Sequence, residues 1–317
     1  MNDLSIPVFA DIENAYERIK PYVHRTPVMS SSLLNEFFDA QLYFKCENFQ
    51  KVGAFKFRGA TNAVNLLSQE ELARGLVTHS SGNHAAALSL AARNRGAKAF
   101  IVMPSNSPGV KKLAVAGYGA DIRYCEPNLK AREDTAGEII RETGATFIHA
   151  YDNFNVIAGQ GTAGYELLND YTDLEMIVGP VGGGGLMSGT AIAVKGLKPG
   201  IKVIGAEPLG ADDAYRSIKS GKYISHHKPN TIADGLLTTL SKRTFAILSE
   251  NLDDIFTVTE KSIINCMRLV WERMKIIIEP SSAVSLAVVE ENPDVFRGKK
   301  VGIILSGGNI DLGNIPF

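Results

Sequence analysis

The chain is short of cysteine, of net charge and of long apolar runs, and each shortage closes off a class of function. Its three cysteines, Cys46, Cys125 and Cys266, lie far apart with no Cys-x-x-Cys pair. That spacing fits neither a disulfide framework nor a zinc site, and it suits buried thiols in a reducing cytoplasm. The 33 Lys and Arg nearly balance the 34 Asp and Glu, leaving a net charge of −1. No basic field is available to draw in nucleic acid or an acidic membrane surface. No apolar run approaches the ~20 residues that span a bilayer. The opening residues 1–7 are polar and slightly acidic, without the basic and apolar regions of a signal peptide, so residence in the cytoplasm is expected. Internal repeats, low-complexity tracts and a Pro- or Ser-rich linker are also missing. What remains is a chain of 317 residues, 45% apolar and 21% charged, enough for one large α/β domain or two smaller ones.

From about residue 75, short apolar runs alternate with helical periods. Strands are predicted over 75–79, 98–103, 121–125 and 146–150, with helices over 83–95, 108–118 and 129–142. A second series places strands over 174–178, 201–205, 254–258 and 301–305, with helices over 157–168, 186–196 and 260–275. Such alternation argues for parallel strands joined by crossover helices. Two packed α/β units with a cleft between them are expected, and such clefts are common ligand sites.

Lys56 sits between two aromatic rings in Gly53-Ala54-Phe55-Lys56-Phe57-Arg58-Gly59. Such a lysine either snorkels its ammonium to water or stays among apolar groups with a lowered pKa. In the second case its neutral amine is a nucleophile suited to a Schiff base. The motif alone leaves both readings open, and three glycine corners bear on the choice. Gly182-Gly183-Gly184-Gly185, between a strand and a helix, brings backbone N–H groups and a helix N-terminus together as a cradle for one phosphate. It has neither the G-x-G-x-x-G spacing of a dinucleotide site nor the Lys-Ser/Thr of a P-loop. Ser80-Ser81-Gly82-Asn83-His84 is a second corner. One capping residue would suffice there, and the surplus of hydroxyl, amide and imidazole groups suits a carboxylate. Ser306-Gly307-Gly308-Asn309 is the third. All three follow strands, as does the strand end at Glu207, and ligands in open α/β sheets gather at the carboxyl ends of strands. A nucleophilic lysine, a phosphate cradle, a carboxylate corner and a further hydroxyl together describe a site for pyridoxal 5'-phosphate and an amino-acid substrate.

In order and spacing, residues 53–60, 80–84, 182–186 and 306–309 resemble the serine/threonine dehydratase and serine racemase family, and the resemblance covers nearly the whole chain. It implies a fold-type II (tryptophan synthase β-like) pyridoxal phosphate enzyme of the α/β class. Two parallel-sheet domains would flank the active site, with residues 1–73 and 149–317 as the large cofactor-binding domain and 74–148 as a small mobile one. A homodimer is implied as well. Residues 45–50, 211–216 and 279–283 look more like bacterial 3-hydroxyaspartate-type dehydratases than like the threonine enzymes. The short stretch after Asn309 resembles the catabolic dehydratases, which carry no regulatory domain. Ala85-Ala86 and Val52 stand where animal serine racemases have Gly-Gln and threonine, so activation by a nucleotide is not expected.

By the same resemblance, Lys56 holds the cofactor aldehyde and moves the substrate α-proton, and Ser81 is the acid/base on the opposite face. Phe55 packs on the pyridine ring, Asn83 bonds its hydroxyl, Gly182, Gly183, Gly184 and Gly185 hold the phosphate, and Ser306 faces the ring nitrogen. Ser80, Asn83 and His84 grip the substrate carboxylate. Glu207, Ala211 and Asp213 match a site for Mg²⁺, Ca²⁺ or Mn²⁺, a hard oxygen set of two carboxylates and a backbone carbonyl. His226-His227 is expected to be a solvated pair without metal-ligand spacing around it. The implied reaction is α,β-elimination of water from L-serine, L-threonine or 3-hydroxyaspartate, giving a 2-oxo acid and ammonia. Two bases on opposite faces would permit serine racemisation with side elimination, the main alternative. β-Replacement and a catalytically silent ligand-binding homologue are the others. A second substrate carboxylate would need an extra cation, for which Arg58, Lys111 and Arg216 are candidates.

Overall fold

The computed structural model describes residues 4–80, 82–107 and 109–317. In chain order its strands are β1 (Val28–Met29), β2 (Gln41–Cys46), β3 (Leu76–His79), β4 (Ala99–Pro104), β5 (Asp121–Cys125), β6 (Thr146–Phe147), β7 (Met176–Pro180), β8 (Lys202–Pro208), β9 (Asp254–Val258) and β10 (Lys300–Leu305). They form a six-stranded sheet in the order β1-β2-β10-β7-β8-β9 and a four-stranded sheet in the order β5-β4-β3-β6. Every described pairing is parallel except that of β1 with β2. Strands β4 and β7 are buried at every residue, the pattern of a parallel sheet covered by helices on both faces.

The structure refines several predicted boundaries. β8 runs past Gly205 and carries Glu207 into the ladder opposite Thr257. β6 stops at Phe147, and the helix expected from Pro108 is observed over Gly109–Gly117, with Pro108 outside the described residues. β2 has no counterpart in the sequence reading. Its apolar pattern is broken by Lys45, which is buried all the same because Glu166 pairs with it at 2.6 Å.

Strand order explains where a site can form. In the six-stranded sheet the chain goes from β7 outward to β8 and β9, then returns to place β10 on the other side of β7. In the four-stranded sheet it goes from β3 to β4 and β5, then returns to place β6 beside β3. Each reversal leaves a crevice at the carboxyl ends of the two strands, the usual ligand position in open α/β sheets. The helix Lys56–Asn65 lies between them. Its Phe57, Ala60 and Val64 share one apolar cluster with the helix Asn83–Asn94 and with Val156 of the helix Phe154–Asp170. Close approach is possible because Gly59 faces Gly159: a Cβ on Gly159 would sit 2.7 Å from the Gly59 Cα. No described helix is long and apolar enough to cross a membrane.

Candidate active site

Both crevices open onto one cavity of about 770 Å³. Ser80, Gly82, Asn83 and His84 reach it from the end of β3, and His149, Ala150 and Tyr151 from β6. Gly182 to Gly185 reach it from β7, Ser306 from β10, and Phe55 and Lys56 from the start of the lysine's helix. The three glycine corners and the lysine, separated by up to 250 residues of sequence, therefore line the same space. Ser81 lies outside the described residues.

Backbone bonds fix the segment that leads into Lys56. Phe55 N donates to the Ser306 carbonyl at 3.0 Å, and Gly308 N to the Gly53 carbonyl at 2.9 Å. The Lys56 side chain is half-buried, and its Nζ donates to the Ala150 carbonyl at 3.1 Å. The same Nζ stands 5.0 Å from the centre of the Phe55 ring. Burial pushes the ammonium down to about 8, against an opposing pull from the Glu279 carboxylate. At pH 7 that leaves roughly a tenth of the amine neutral, against a few parts in ten thousand for an ordinary lysine. The snorkelling alternative is set aside, because the head group points at a cavity-wall carbonyl.

The glycine loop is narrow because other residues lean on it. Gly184 adopts φ +84° and opens the helix Gly185–Leu197. A Cβ on Gly183 would overlap the Tyr151 ring, one on Gly185 would lie 2.9 Å from the Tyr151 Cβ, and one on Gly182 would lie 2.9 Å from the Leu236 Cα. Backbone N–H groups at a helix N-terminus and room only for glycine fit a phosphate group.

Asn83 is held by two residues to which the sequence reading gave no role of their own. Its Nδ2 donates to Glu279 Oε1 at 2.9 Å, and its Oδ1 accepts from Asn309 Nδ2 at 2.9 Å. Asn309 also donates from its backbone N to Glu279 Oε2 at 3.1 Å and from Nδ2 to the Val52 carbonyl at 2.7 Å. Glu279 is buried on the cavity wall, and burial, reinforced by Asp234, pushes it up to about 8. A charged residue preceding Pro280 looks in sequence like an ordinary helix start, and although residues 279–283 carry part of the resemblance, burial is what points to a role for Glu279 itself. Where Lys56 titrates, near 8, Glu279 is partly ionised, and Glu279→Gln removes the negative charge that helps hold the proton on Lys56. The Lys56 amine of the cofactor-free protein should then titrate at lower pH than in the wild type. NMR titration of ¹³C-methylated lysine would show this, and an unchanged or raised midpoint would contradict it.

His84 is buried, and its Nε2 lies 3.2 Å from the Ile148 carbonyl while Nδ1 has no partner. Burial, with Lys56 adding repulsion, pushes it down to about 3, so the ring is neutral. With Nε2–H donating to Ile148, Nδ1 is left as an acceptor, a poor partner for a carboxylate. The N–H groups at the start of the helix Asn83–Asn94 suit that anion better. Ser306 Oγ lies 3.1 Å from Ser282 Oγ in the buried wall.

Of the three candidate cations, only Lys111 reaches the cavity, where it pairs with Asp234. Arg58 is fully buried between Glu47 and Glu166, and Arg216 pairs with Asp212 at the surface. The sequence reading missed Arg132, which also lines the cavity, with its buried Nε–H lacking any acceptor.

At the expected cation position, Glu207 is buried and accepts from Ala214 N at 3.1 Å and Tyr215 N at 2.6 Å. Burial and the neighbouring Asp213 push its proton affinity well above the ordinary carboxylate range. Asp213 Oδ2 accepts from Leu240 N at 3.1 Å, and its buried Oδ1 has no hydrogen-bond partner. An orphaned buried oxygen beside a second buried acid has the chemistry to hold a hard cation. Among the described residues no three His, Cys, Asp or Glu side chains gather around a metal position, and the expected set supplies only two. The solvated histidine pair is half corrected: His226 is exposed, but the His227 side chain is 6% exposed, with Nε2 3.5 Å from Asp213 Oδ1.

Residues 19–307 match the family described as pyridoxal-phosphate dependent enzyme. The chain is 53% identical to the serine racemase of Dictyostelium discoideum, over 99% of this chain and 98% of that one. It is 48% identical to the β-hydroxyaspartate dehydratase of Paracoccus denitrificans, over 98% of this chain and 99% of that one. The solved structure of maize serine racemase superposes with a TM-score of 0.95 at 43% identity, covering 98% of this chain and 95% of that one.

Proposed function

The chain belongs to the pyridoxal-phosphate dependent enzymes of fold type II, and we propose that it is an ammonia-lyase acting on a 3-hydroxy amino acid, with a 3-hydroxy dicarboxylic acid as preferred substrate. The observation that carries the reaction is Lys56, an amine of lowered proton affinity on the wall of a cavity that also holds a one-phosphate cradle. When bound, the cofactor supplies an aldehyde to capture an amine and a ring to delocalise the electron pair left by a broken Cα–H bond. Gly182 to Gly185 hold its phosphate, Phe55 packs on its ring, Asn83 bonds the ring hydroxyl and Ser306 meets the ring nitrogen without charging it. Ser80 and the N–H groups beginning the helix Asn83–Asn94 take the substrate carboxylate. Lys56 Nζ takes the proton from Cα and returns it to the departing Cβ hydroxyl, which leaves as water; the unsaturated amine that results then takes up water to give the 2-oxo acid and ammonia.

Arg132 supports the dicarboxylate preference, since its side chain lines the cavity and its buried Nε–H has no acceptor, so a second carboxylate would give the guanidinium a partner. A panel of L-serine, L-threonine and the 3-hydroxyaspartate isomers, assayed for ammonia after chelation and again with added Mg²⁺, tests the reading. Arg132→Ala should raise KM for the dicarboxylate by about 10- to 100-fold, a charge-assisted hydrogen bond, and leave serine little affected. Equal loss on both substrates would sink the preference. The same reading places Mg²⁺, Ca²⁺ or Mn²⁺ on Glu207, Ala211 and Asp213, where it would neutralise the acids and brace the loop ending at Leu240. It also takes residues 74–148 as the smaller unit that moves over the cavity, and the working form as a cytoplasmic homodimer.

Similarity to a serine racemase at 53% identity favours a second reading, inversion of serine with Ser81 as the base opposite Lys56. Chiral analysis of serine after incubation separates the two readings.

A further inference from the structure

Arg58, two residues beyond Lys56, is fully buried and fully bonded. Nε and Nη2 donate to Glu47 at 2.7 and 2.8 Å. Nη1 and Nη2 donate to Glu166 at 2.9 and 2.8 Å, and Nη1 reaches Thr162 Oγ1 at 3.2 Å. Lys45 Nζ donates to Glu166 at 2.6 Å, and Thr26 Oγ1 to Glu47 at 2.5 Å. Two cations and two carboxylates thus share one buried space without net charge. Burial opposes the charge on Arg58, but Glu47 and Glu166 outweigh it and hold the guanidinium above its ordinary proton affinity. Burial likewise opposes the charge on Glu166, and Arg58 and Lys45 hold it below the usual carboxylate value. Such networks are a weak source of stability, since apolar side chains of similar volume often do as well. A planar guanidinium paired along two edges supplies fixed geometry instead.

We propose that the Arg58–Glu47–Glu166 network is a positioning device for Lys56, a role that rests on Lys56 being the reactive amine. Glu47 follows β2, and Glu166 belongs to the helix Phe154–Asp170. The loop leading into that helix carries Ala150, the acceptor for Lys56 Nζ, and Tyr151, which covers the glycine cradle. Arg58 therefore ties the first turn of the lysine's helix to the element that sets the far side of the site. Residues 53 and 55 are tied separately to 308 and 306. The backbone at Lys56 is clamped on both sides, and the amine travels only by its own side-chain torsions. Geometry and not charge carries the effect: burial and Glu279 shift Lys56, and Arg58 does not.

The test uses Arg58→Lys and Glu47→Gln holoenzymes, at a temperature where thermal unfolding shows each to be folded. Misplacing a reacting group by about 1 Å costs up to about 100-fold, so kcat should fall by roughly 10- to 100-fold in both. KM should stay within about threefold, and the limbs of the pH profile should not move. Circular dichroism of the bound cofactor's visible band should weaken, because the ring is less rigidly oriented. Lysine in place of Arg58 should not rescue, as it cannot bond along two edges. If Arg58→Lys does not fold, Glu47→Gln decides, since it keeps its size and leaves Arg58 on Glu166. A folded Glu47→Gln enzyme with wild-type kcat and an unaltered band overturns the proposal. A wild-type protein without a cofactor band would instead overturn the reading of Lys56 itself.

Discussion

Lys56→Ala should abolish ammonia release from 3-hydroxy amino acids, lowering kcat by at least about 10²- to 10⁴-fold, the usual contribution of a positioned acid/base group. The loss should exceed that range, because the same amine is proposed to hold the cofactor. Among the described residues of the cavity wall, neither the second lysine nor the histidines at 84 and 149 offers a replacement. Lys111, the other lysine on the cavity wall, is paired with Asp234. His84 and His149 are pushed down to about 3 and about 4, in both cases first by burial. They are neutral at working pH and too weakly basic to capture an α-proton efficiently. Spectra of the purified variant should lack the visible band of lysine-bound cofactor, and a small primary amine added to the buffer should restore part of the activity. Undiminished turnover in Lys56→Ala would mean that another group is the base.

Gly183→Val should weaken cofactor binding by about 10- to 100-fold. The estimate comes from the 1–3 kcal/mol usual for overpacking a tight site, at about 1.4 kcal/mol per tenfold. A Cβ there overlaps the Tyr151 ring, so either the ring or the loop must shift, and the loop's N–H groups then miss the phosphate. Tyr151→Ala in the same chain should recover part of the affinity, because it removes the atoms that collide. Fluorescence titration of the cofactor-free proteins measures both. If the double variant binds no better than Gly183→Val alone, the collision is not the cause, and the loop conformation itself is at fault.

The α/β alternation, every strand from β3 to β10 and the corners at Ser80, Gly182 and Ser306 were legible as local pattern. Apolar runs, helix periods and glycine-to-helix junctions are properties of neighbouring residues, and no folding is needed to read them. The strands that went unread were those whose pattern depends on distant partners. β2 carries Lys45, which reads as polar until Glu166, 121 residues away, is placed against it. Arg58 looked like a free cation for a substrate, and the fold spends every one of its N–H groups on Glu47, Glu166 and Thr162. Arg132, in a helix with no local signal, lines the cavity, and its buried Nε–H has no acceptor. Glu279 became part of the site only when the helix start at Pro280 came against Asn83.

The sequence by itself determined the parts: an amine among aromatic rings, a cradle for one phosphate, a corner for an anion, and strands that must lie parallel because helices separate them. Tertiary structure alone decided which charges remain available. Strand order brings the ends of β3, β6, β7 and β10 onto one cavity, and burial then sets each group's protonation by what lies beside it. Desolvation and pairing are properties of position in space, and residues far apart in the chain acquire them only when the two sheets close over the same volume.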